Sequence, residues 1–144
     1  MKNILFVCTG NSARSIIAES IINNEYDDLY KGFSAGSNPT GKINEDVKNY
    51  LLSKHYDLSN YRSKNFNEFI NGQIKMDYVI TVCNNANNEL CPIWPKKDQV
   101  IHWDIEDPVS KLINSNENEK NNIISNTFNV INKKIINWIK NEEW

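Results

Sequence analysis

The first 26 residues join a short apolar strand, a polar loop and a helix, and this junction restricts the folds open to the chain. A strand is predicted over 3–8, because the run is short, apolar and ended by a turn. A helix is predicted over 12–26, where Asn11 or Ser12 can cap the first turn. The loop that joins them reads CTGNSARS and occupies 8–15. A buried strand that runs through such a loop into a helix indicates an α/β fold.

The rest of the sequence continues to alternate strands with helices. Further strands are predicted at 30–36, 76–83 and 99–104, and further helices after the capping residue Asn44, over 63–70 and from Glu119 onward. The last helix carries an apolar stripe at helical spacing, formed by Ile124, Phe128, Ile131, Ile135 and Trp138. This alternation predicts a single domain over 1–144, an α/β fold with a four-stranded parallel sheet and helices on both faces.

The composition excludes several classes of protein. Apolar residues make up 40% of the chain and charged residues 24%, with a formal net charge of −2, so no general affinity for nucleic acid or for a membrane surface is expected. The apolar run at 4–7 is too short for a signal peptide, and no run reaches the roughly 18 apolar residues of a membrane span. We therefore expect a cytoplasmic monomer whose three cysteines are reduced at rest, with no cofactor and no bound metal.

Side chains that can act as nucleophiles or acids lie at or just after the ends of the predicted strands. Cys8 and Cys83 each end a strand, and Asp107 follows another strand closely. The carboxyl ends of parallel strands lie along one edge of a sheet, and α/β proteins bind their ligands at that edge. We therefore expect these three groups to lie near one another at a ligand site.

The 8–15 loop contains the parts of an anion-binding nucleophilic site. At the amino terminus of a helix its backbone N–H groups point into one concavity, and Gly10 permits the sharp turn. The Arg14 guanidinium can fold over the same concavity and match two oxygens of a tetrahedral oxyanion. These positive charges favour the thiolate of Cys8, to which the Ser15 hydroxyl can donate. The predicted oxyanion-binding residues are Thr9, Gly10, Asn11, Ser12, Ala13, Arg14 and Ser15.

The same residues also have ordinary structural interpretations. Cys8 could be a buried cysteine at the end of a strand, with Arg14 in solvent. Asn11 could buttress the loop through its side-chain amide or simply cap the helix. The strand before the loop and the helix after it favour the catalytic interpretation.

The sequence VCTGNSARS resembles the signature loop of the low-molecular-weight protein tyrosine phosphatase fold. That superfamily includes phosphatases and arsenate reductases, so the resemblance implies a tetrahedral oxyanion substrate, phosphate or arsenate. The segments VITVCNNANNELCPIWP (79–95) and HWDIEDP (102–108) resemble the thioredoxin-coupled arsenate reductases of this fold. The resemblance runs over nearly the whole chain.

This second resemblance implies an electron relay. Cys8 would attack arsenate, Cys83 would then attack Cys8 to release arsenite, and Cys91 would attack Cys83 to free Cys8 again. Thioredoxin would reset the enzyme, with glutathione and glutaredoxin as the other possible reductant. Asp107, which stands before Pro108 as in the family, would be the acid that protonates the leaving group.

Several alternatives stay open. Cys83 and Cys91 could be inert thiols, or half of a zinc site to which His102 would add a third ligand. Asp104 and Glu106 compete with Asp107 as the acid. The protein could instead hydrolyse phosphotyrosine or another aryl phosphate, or act as a non-catalytic oxyanion or redox sensor. Tyrosine phosphatases of this fold usually carry aromatic residues just after Asp-Pro, where this chain has Val109 and Ser110.

Overall fold

The strands assemble into a parallel sheet. The computed structural model describes residues 1–70, 72–84, 94 and 100–142. Within these residues the strands are β1 (Lys2–Cys8), β2 (Tyr30–Gly36), β3 (Tyr78–Thr81) and β4 (Val100–His102). All neighbouring strands are parallel, in the order β2-β1-β3-β4, so the predicted α/β fold with a four-stranded parallel sheet is confirmed.

Two of the strands are shorter than predicted. β3 covers Tyr78–Thr81 rather than 76–83, because its ladder with β1 runs only from Ile4 opposite Tyr78 to Val7 opposite Thr81. β4 pairs with β3 over the three residues Val100–His102, so residues 103 and 104 lie beyond the sheet. The segments that follow β3 and β4 therefore begin two residues before the predicted strand ends, at the carboxyl edge of the sheet.

The helices are α1 (Arg14–Glu25), α2 (Glu45–Ser53), α3 (Asn67–Ile70), α4 (Val109–Leu112) and α5 (Glu117–Glu142). The cap predicted for α2 is confirmed, because Asn44 Oδ1 accepts from the backbone N–H groups of Asp46 and Val47 at 3.0 and 3.1 Å. The sequence did not predict α4, whose four residues are too few to show a helical period. In the part of the chain that the structure describes, no helix has the length and apolarity needed to cross a membrane.

The cap predicted for α1 is wrong. The N-cap residue is Ala13, and no side chain accepts a hydrogen bond from the first turn. Neither Asn11 nor Ser12 serves that purpose, because the helix begins after the loop has already turned. The amide of Asn11 has other, buried partners in the site described below.

Apolar side chains cover both faces of the sheet. On β1, Ile4 and Phe6 face the larger hydrophobic cluster, to which α1, α2 and α5 contribute. Leu5 and Val7 point to the opposite face, where a smaller cluster contains Trp94 and partly buried side chains of α3. The five stripe residues of α5 are all buried, as predicted. This two-sided burial holds the carboxyl edge of the sheet in a fixed position for the site.

Ile135→Ala should lower the free energy of unfolding by about 2–5 kcal/mol, because it deletes a fully buried side chain from the core. Urea denaturation followed by circular dichroism measures this change. Ile113→Ala is the matched control, because Ile113 is 76% exposed and its truncation should change stability by less than about 0.5 kcal/mol. Equal effects of the two substitutions would contradict the assignment of α5 to the core.

Candidate oxyanion and thiol site

A cavity of about 480 Å³ opens at the carboxyl edge of the sheet. Its floor is the 8–15 loop between β1 and α1, from Cys8 to Arg14. Its walls come from three other segments, which contribute Asn38 and Thr40, Asn84, and the stretch around Asp107. The structure therefore brings Cys8, Arg14 and Asp107 into one cavity, on the edge where the strand ends were expected to meet.

Cys8 is a free thiol in a buried and polar setting. Its side chain is 2% exposed, and its Sγ lies 2.9 Å from the hydroxyl of Ser15. The backbone N–H of Asn11 donates to the same sulfur at 3.2 Å. The sulfur therefore lies in contact with two polar groups at the floor of the cavity.

Asn11, rather than Gly10, takes the unusual backbone conformation of the loop. Its φ is 47°, in the left-handed region that asparagine tolerates better than most residues. A Cβ on Gly10 would meet its nearest neighbour, Thr40, at 3.4 Å, which is ordinary contact. The expectation that Gly10 provides the sharp turn is therefore wrong, because the strained position lies one residue later.

The side chain of Asn11 buttresses the loop. Its Nδ2 donates to the hydroxyls of Ser15 and Ser34 at 2.8 and 3.0 Å. Its Oδ1 accepts from the backbone N–H of Lys64 at 2.9 Å. Every polar atom of this amide is thus used to fix the loop, which decides between the two interpretations left open by the sequence.

Close packing against the end of β2 also fixes the loop. A Cβ on Gly36 would lie 2.5 Å from the carbonyl oxygen of Thr9, so only glycine fits there without a shift of the backbone. Sequence reasoning missed Gly36 and Ser34 as parts of the site. The glycine at the end of a predicted strand was the one local signal that could have found Gly36.

Arg14 is buried at the cavity, not in solvent. Its side chain is 3% exposed, and its Nη1 donates to the carbonyl of Ile105 at 2.9 Å. This bond ties the loop to the segment that carries Asp107 and fixes the guanidinium beside the cavity. A fixed planar guanidinium is well suited to bind two oxygens of an oxyanion.

The structure separates the three candidate carboxylates. Asp107 lines the cavity, and its Oδ1 accepts from the backbone N–H of Val109 at 3.0 Å, at the start of α4. Glu106 also lines the cavity, but its carboxylate forms a salt bridge with Lys111 at 3.0 Å. Asp104 is not among the described residues that line it. Asp107 therefore combines access to the cavity with a position fixed by the backbone.

The second cysteine is placed and bonded differently from the first. Cys83 follows β3 by two residues, is fully buried and is disulfide-bonded. Among the described residues that line the cavity, its neighbour Asn84 is present and Cys83 is not. Cys91, the third predicted relay cysteine, lies outside the described residues. The expectation of three reduced cysteines is therefore wrong for Cys83, which is oxidised in this structure.

In the alternative zinc site, His102 would add a third ligand. His102 Nδ1 lies 2.8 Å from the hydroxyl of Thr81, so the ring is engaged by the neighbouring strand. Within residues 1–70, 72–84, 94 and 100–142, no group of three or more histidine, cysteine, aspartate or glutamate side chains is arranged to hold a metal ion.

Comparison of the sequence with known proteins agrees with this geometry. Residues 3–143 match the family model described as "Low molecular weight phosphotyrosine protein phosphatase". Arsenate reductase 2 of Staphylococcus haemolyticus is 34% identical over 110 residues, which span 76% of this chain and 81% of that protein. The arsenate reductase of Staphylococcus aureus (strain N315) is 34% identical over 112 residues, with the same shares of 76% and 81%.

Solved structures show the same fold. The arsenate reductase of Archaeoglobus fulgidus superposes with a TM-score of 0.69 at 25% identity, covering 92% of this chain and 98% of that chain. A YwlE mutant from Bacillus subtilis superposes with a TM-score of 0.74 at 22% identity, covering 100% of both chains. The chain therefore belongs to the low-molecular-weight phosphotyrosine protein phosphatase family, in which these curated relatives are named arsenate reductases.

Proposed function

We propose that this protein reduces arsenate to arsenite, with Cys8 as the nucleophile and with Cys83 and Cys91 as the source of electrons. The observation that carries the proposal is that the two cysteines are in different redox states. Cys8, beneath the cavity, is a free thiol, whereas Cys83, after the neighbouring strand, is disulfide-bonded. Hydrolysis of a phosphate ester needs no second thiol, whereas reduction of arsenate needs two electrons. The arsenate reductases at 34% identity support the same choice.

Binding comes first. The backbone N–H groups from Thr9 to Ser15 and the guanidinium of Arg14 would hold the arsenate oxygens at the start of α1. The sulfur of Cys8 then lies at the floor of the cavity, directed at the arsenic atom. Its thiolate attacks arsenic, and a sulfur–arsenic bond forms as an arsenic–oxygen bond breaks.

The oxygen that leaves arsenic needs a proton. Asp107 lies in the cavity and would donate this proton, so that water leaves instead of a bare hydroxide ion. The hydrogen bond from the Val109 N–H to Oδ1 fixes the orientation of the carboxyl group and leaves its other oxygen for the substrate.

Two electrons then pass from sulfur to arsenic. The Cys83 thiolate attacks Cys8 Sγ, the sulfur–arsenic bond breaks, and the bonding pair leaves with arsenic as arsenite. The resulting Cys8–Cys83 disulfide is attacked by the Cys91 thiolate, which releases Cys8 as a thiolate. A free Cys8 together with an oxidised Cys83 is the state that this last step would leave. Thioredoxin, or glutathione with glutaredoxin, would then reduce the remaining disulfide.

The rim of the cavity favours a small oxyanion over an aryl ester. The described residues that line the cavity include no aromatic side chain. Val109 and Ser110, which follow Asp107 and Pro108, form this part of the rim. A phosphotyrosine ring would find no ring to stack on among them. Weak hydrolysis of an aryl phosphate is still expected, because phosphate and arsenate share the same tetrahedral geometry.

The test is arsenate-dependent oxidation of NADPH through thioredoxin reductase and thioredoxin, repeated with glutathione and glutaredoxin, beside hydrolysis of p-nitrophenyl phosphate. The proposal expects arsenite production that stops when the thiol system is left out. Fast ester hydrolysis with no thiol-dependent arsenite production would contradict it and assign the protein to the phosphatases.

Asp107→Asn should lower kcat for arsenate reduction by about 10²-fold or more, because the amide cannot donate the proton to the leaving oxygen as an acid does. The amide oxygen can still accept from the Val109 N–H, so KM should change much less. Steady-state kinetics in the thioredoxin-coupled assay measure both constants. Asp104→Asn is the matched control, and equal losses in the two variants would remove Asp107 from the proposed mechanism.

A further inference from the structure

The described lining of the oxyanion cavity carries two carboxyl side chains and one cationic side chain. Apart from the sulfur of Cys8, its ionisable side chains are those of Arg14, Glu106 and Asp107. Asp107 is the acid of the mechanism proposed above, whereas Glu106 has no part in it. A carboxylate at the wall of an anion site repels the anion unless a cation balances it. The charge of Glu106 therefore needs a partner outside the cavity.

Glu106 lies close to a group that the substrate needs. The residue before it, Ile105, is buried, and its carbonyl accepts from Arg14 Nη1 at 2.9 Å. The glutamate therefore begins one residue from a group bonded to the guanidinium, and it borders the same cavity. A carboxylate offers a guanidinium two oxygens, as a tetrahedral oxyanion does. Glu106 can thus compete with the substrate for Arg14 unless its carboxylate is held elsewhere.

A salt bridge to α4 holds this carboxylate. Lys111 Nζ lies 3.0 Å from Glu106 Oε1. Glu106 and Asp107 line both the oxyanion cavity and a second cavity of about 220 Å³ beside α5, so they belong to a wall that the two cavities share. Among the described residues, Lys111 lines the second cavity and not the first. The salt bridge therefore draws the Glu106 carboxylate toward the side that is away from the substrate.

This salt bridge is not needed to hold the backbone of the segment. The side chains of Lys111 and Glu106 are 50% and 56% exposed, and ion pairs so exposed add little to folding stability. Other bonds fix the neighbouring residues, because Arg14 holds the carbonyl of Ile105 and the Val109 N–H donates to the carboxyl group of the next residue after Glu106. Loss of Lys111 should therefore release the Glu106 side chain and leave the segment in place.

We propose that Lys111 is a positioning residue, whose salt bridge holds the Glu106 carboxylate out of the oxyanion site and keeps Arg14 available to the substrate. This inference rests on the proposed binding of oxyanions by the 8–15 loop, and it does not depend on electron transfer. Without Lys111, the Glu106 carboxylate becomes a tethered competitor of the oxyanion. Removal of that carboxylate as well removes the competitor and should restore binding.

The test is a double-mutant cycle read by isothermal titration of the full-length protein with inorganic phosphate at low ionic strength. Lys111→Met should weaken phosphate binding by about fivefold, the upper range for an exposed ion pair, and Lys111→Arg should bind like the unmodified protein. Glu106→Gln should bind at least as tightly as the unmodified protein, and adding Lys111→Met to it should change the affinity by less than about twofold. Lys31→Met and Glu25→Gln are matched controls for the loss of one charge, because both residues are exposed and lie near the start of β2 and at the end of α1.

The outcomes separate this inference from a structural role and from the proposed function. If Glu106→Gln binds phosphate as weakly as Lys111→Met, the salt bridge acts by holding α4 and not by restraining the carboxylate. An equal loss from Lys111→Met with and without Glu106→Gln, or no loss from Lys111→Met alone, would also overturn the inference. Phosphate binding requires no electron transfer, so the cycle can succeed even if the arsenate assay fails. Absence of phosphate binding by the unmodified protein would overturn the proposed oxyanion site and this inference with it.

Discussion

Cys8→Ser is expected to abolish arsenite production while leaving oxyanion binding in place. The hydroxyl is a far weaker nucleophile than a thiolate at neutral pH, and it cannot form the disulfide that releases arsenite. Loss of a catalytic nucleophile lowers turnover by about 10⁴-fold or more. The thioredoxin-coupled assay measures turnover, and titration with inorganic phosphate measures binding, because the backbone N–H groups and Arg14 stay in the cavity.

The same substitution should also abolish hydrolysis of p-nitrophenyl phosphate, because one sulfur serves both reactions. Cys83→Ser is the informative control: it should stop arsenite production, which needs the second thiol, but spare ester hydrolysis, which does not. Residual reduction of arsenate by Cys8→Ser above the rate without enzyme would show that another group attacks arsenic.

The 8–15 loop was predictable from the sequence because its parts are local. The strand before it, the helix after it and the Cys8–Arg14 spacing all lie within the first 26 residues. The cap of α1 was predicted wrongly for a tertiary reason. Asparagine is a favoured helix-capping residue, but the side-chain amide of Asn11 instead forms hydrogen bonds with buried groups that are distant in sequence. The capping preference of a single residue therefore does not decide its contacts.

The partners of Asn11 could not be predicted. Ser34 and Lys64 reach it from 23 and 53 residues away, and no spacing rule connects them to the loop. The sequence was equally uninformative about Cys83. The presence of β3 could be predicted from its β-branched residues, but whether Cys83 beyond it is buried depends on the packing of neighbouring segments.

Cys91→Ser is expected to end turnover after a single reaction. Arsenate binding, attack by Cys8 and attack by Cys83 do not require the third thiol, so each chain should release one arsenite. No thiol then remains in the protein to free Cys8, and steady-state oxidation of NADPH through thioredoxin should fall to the background rate. Cys83→Ser is the matched comparison, because that variant should stop one step earlier and release no arsenite.

The identity of the trapped disulfide tests the central claim most directly. Reduced Cys91→Ser is mixed with excess arsenate, its remaining thiols are blocked by alkylation, and peptide mass mapping identifies the bonded cysteines. The proposed mechanism predicts one arsenite per chain and a disulfide between Cys8 and Cys83. Two alkylated cysteines with no arsenite released would contradict it.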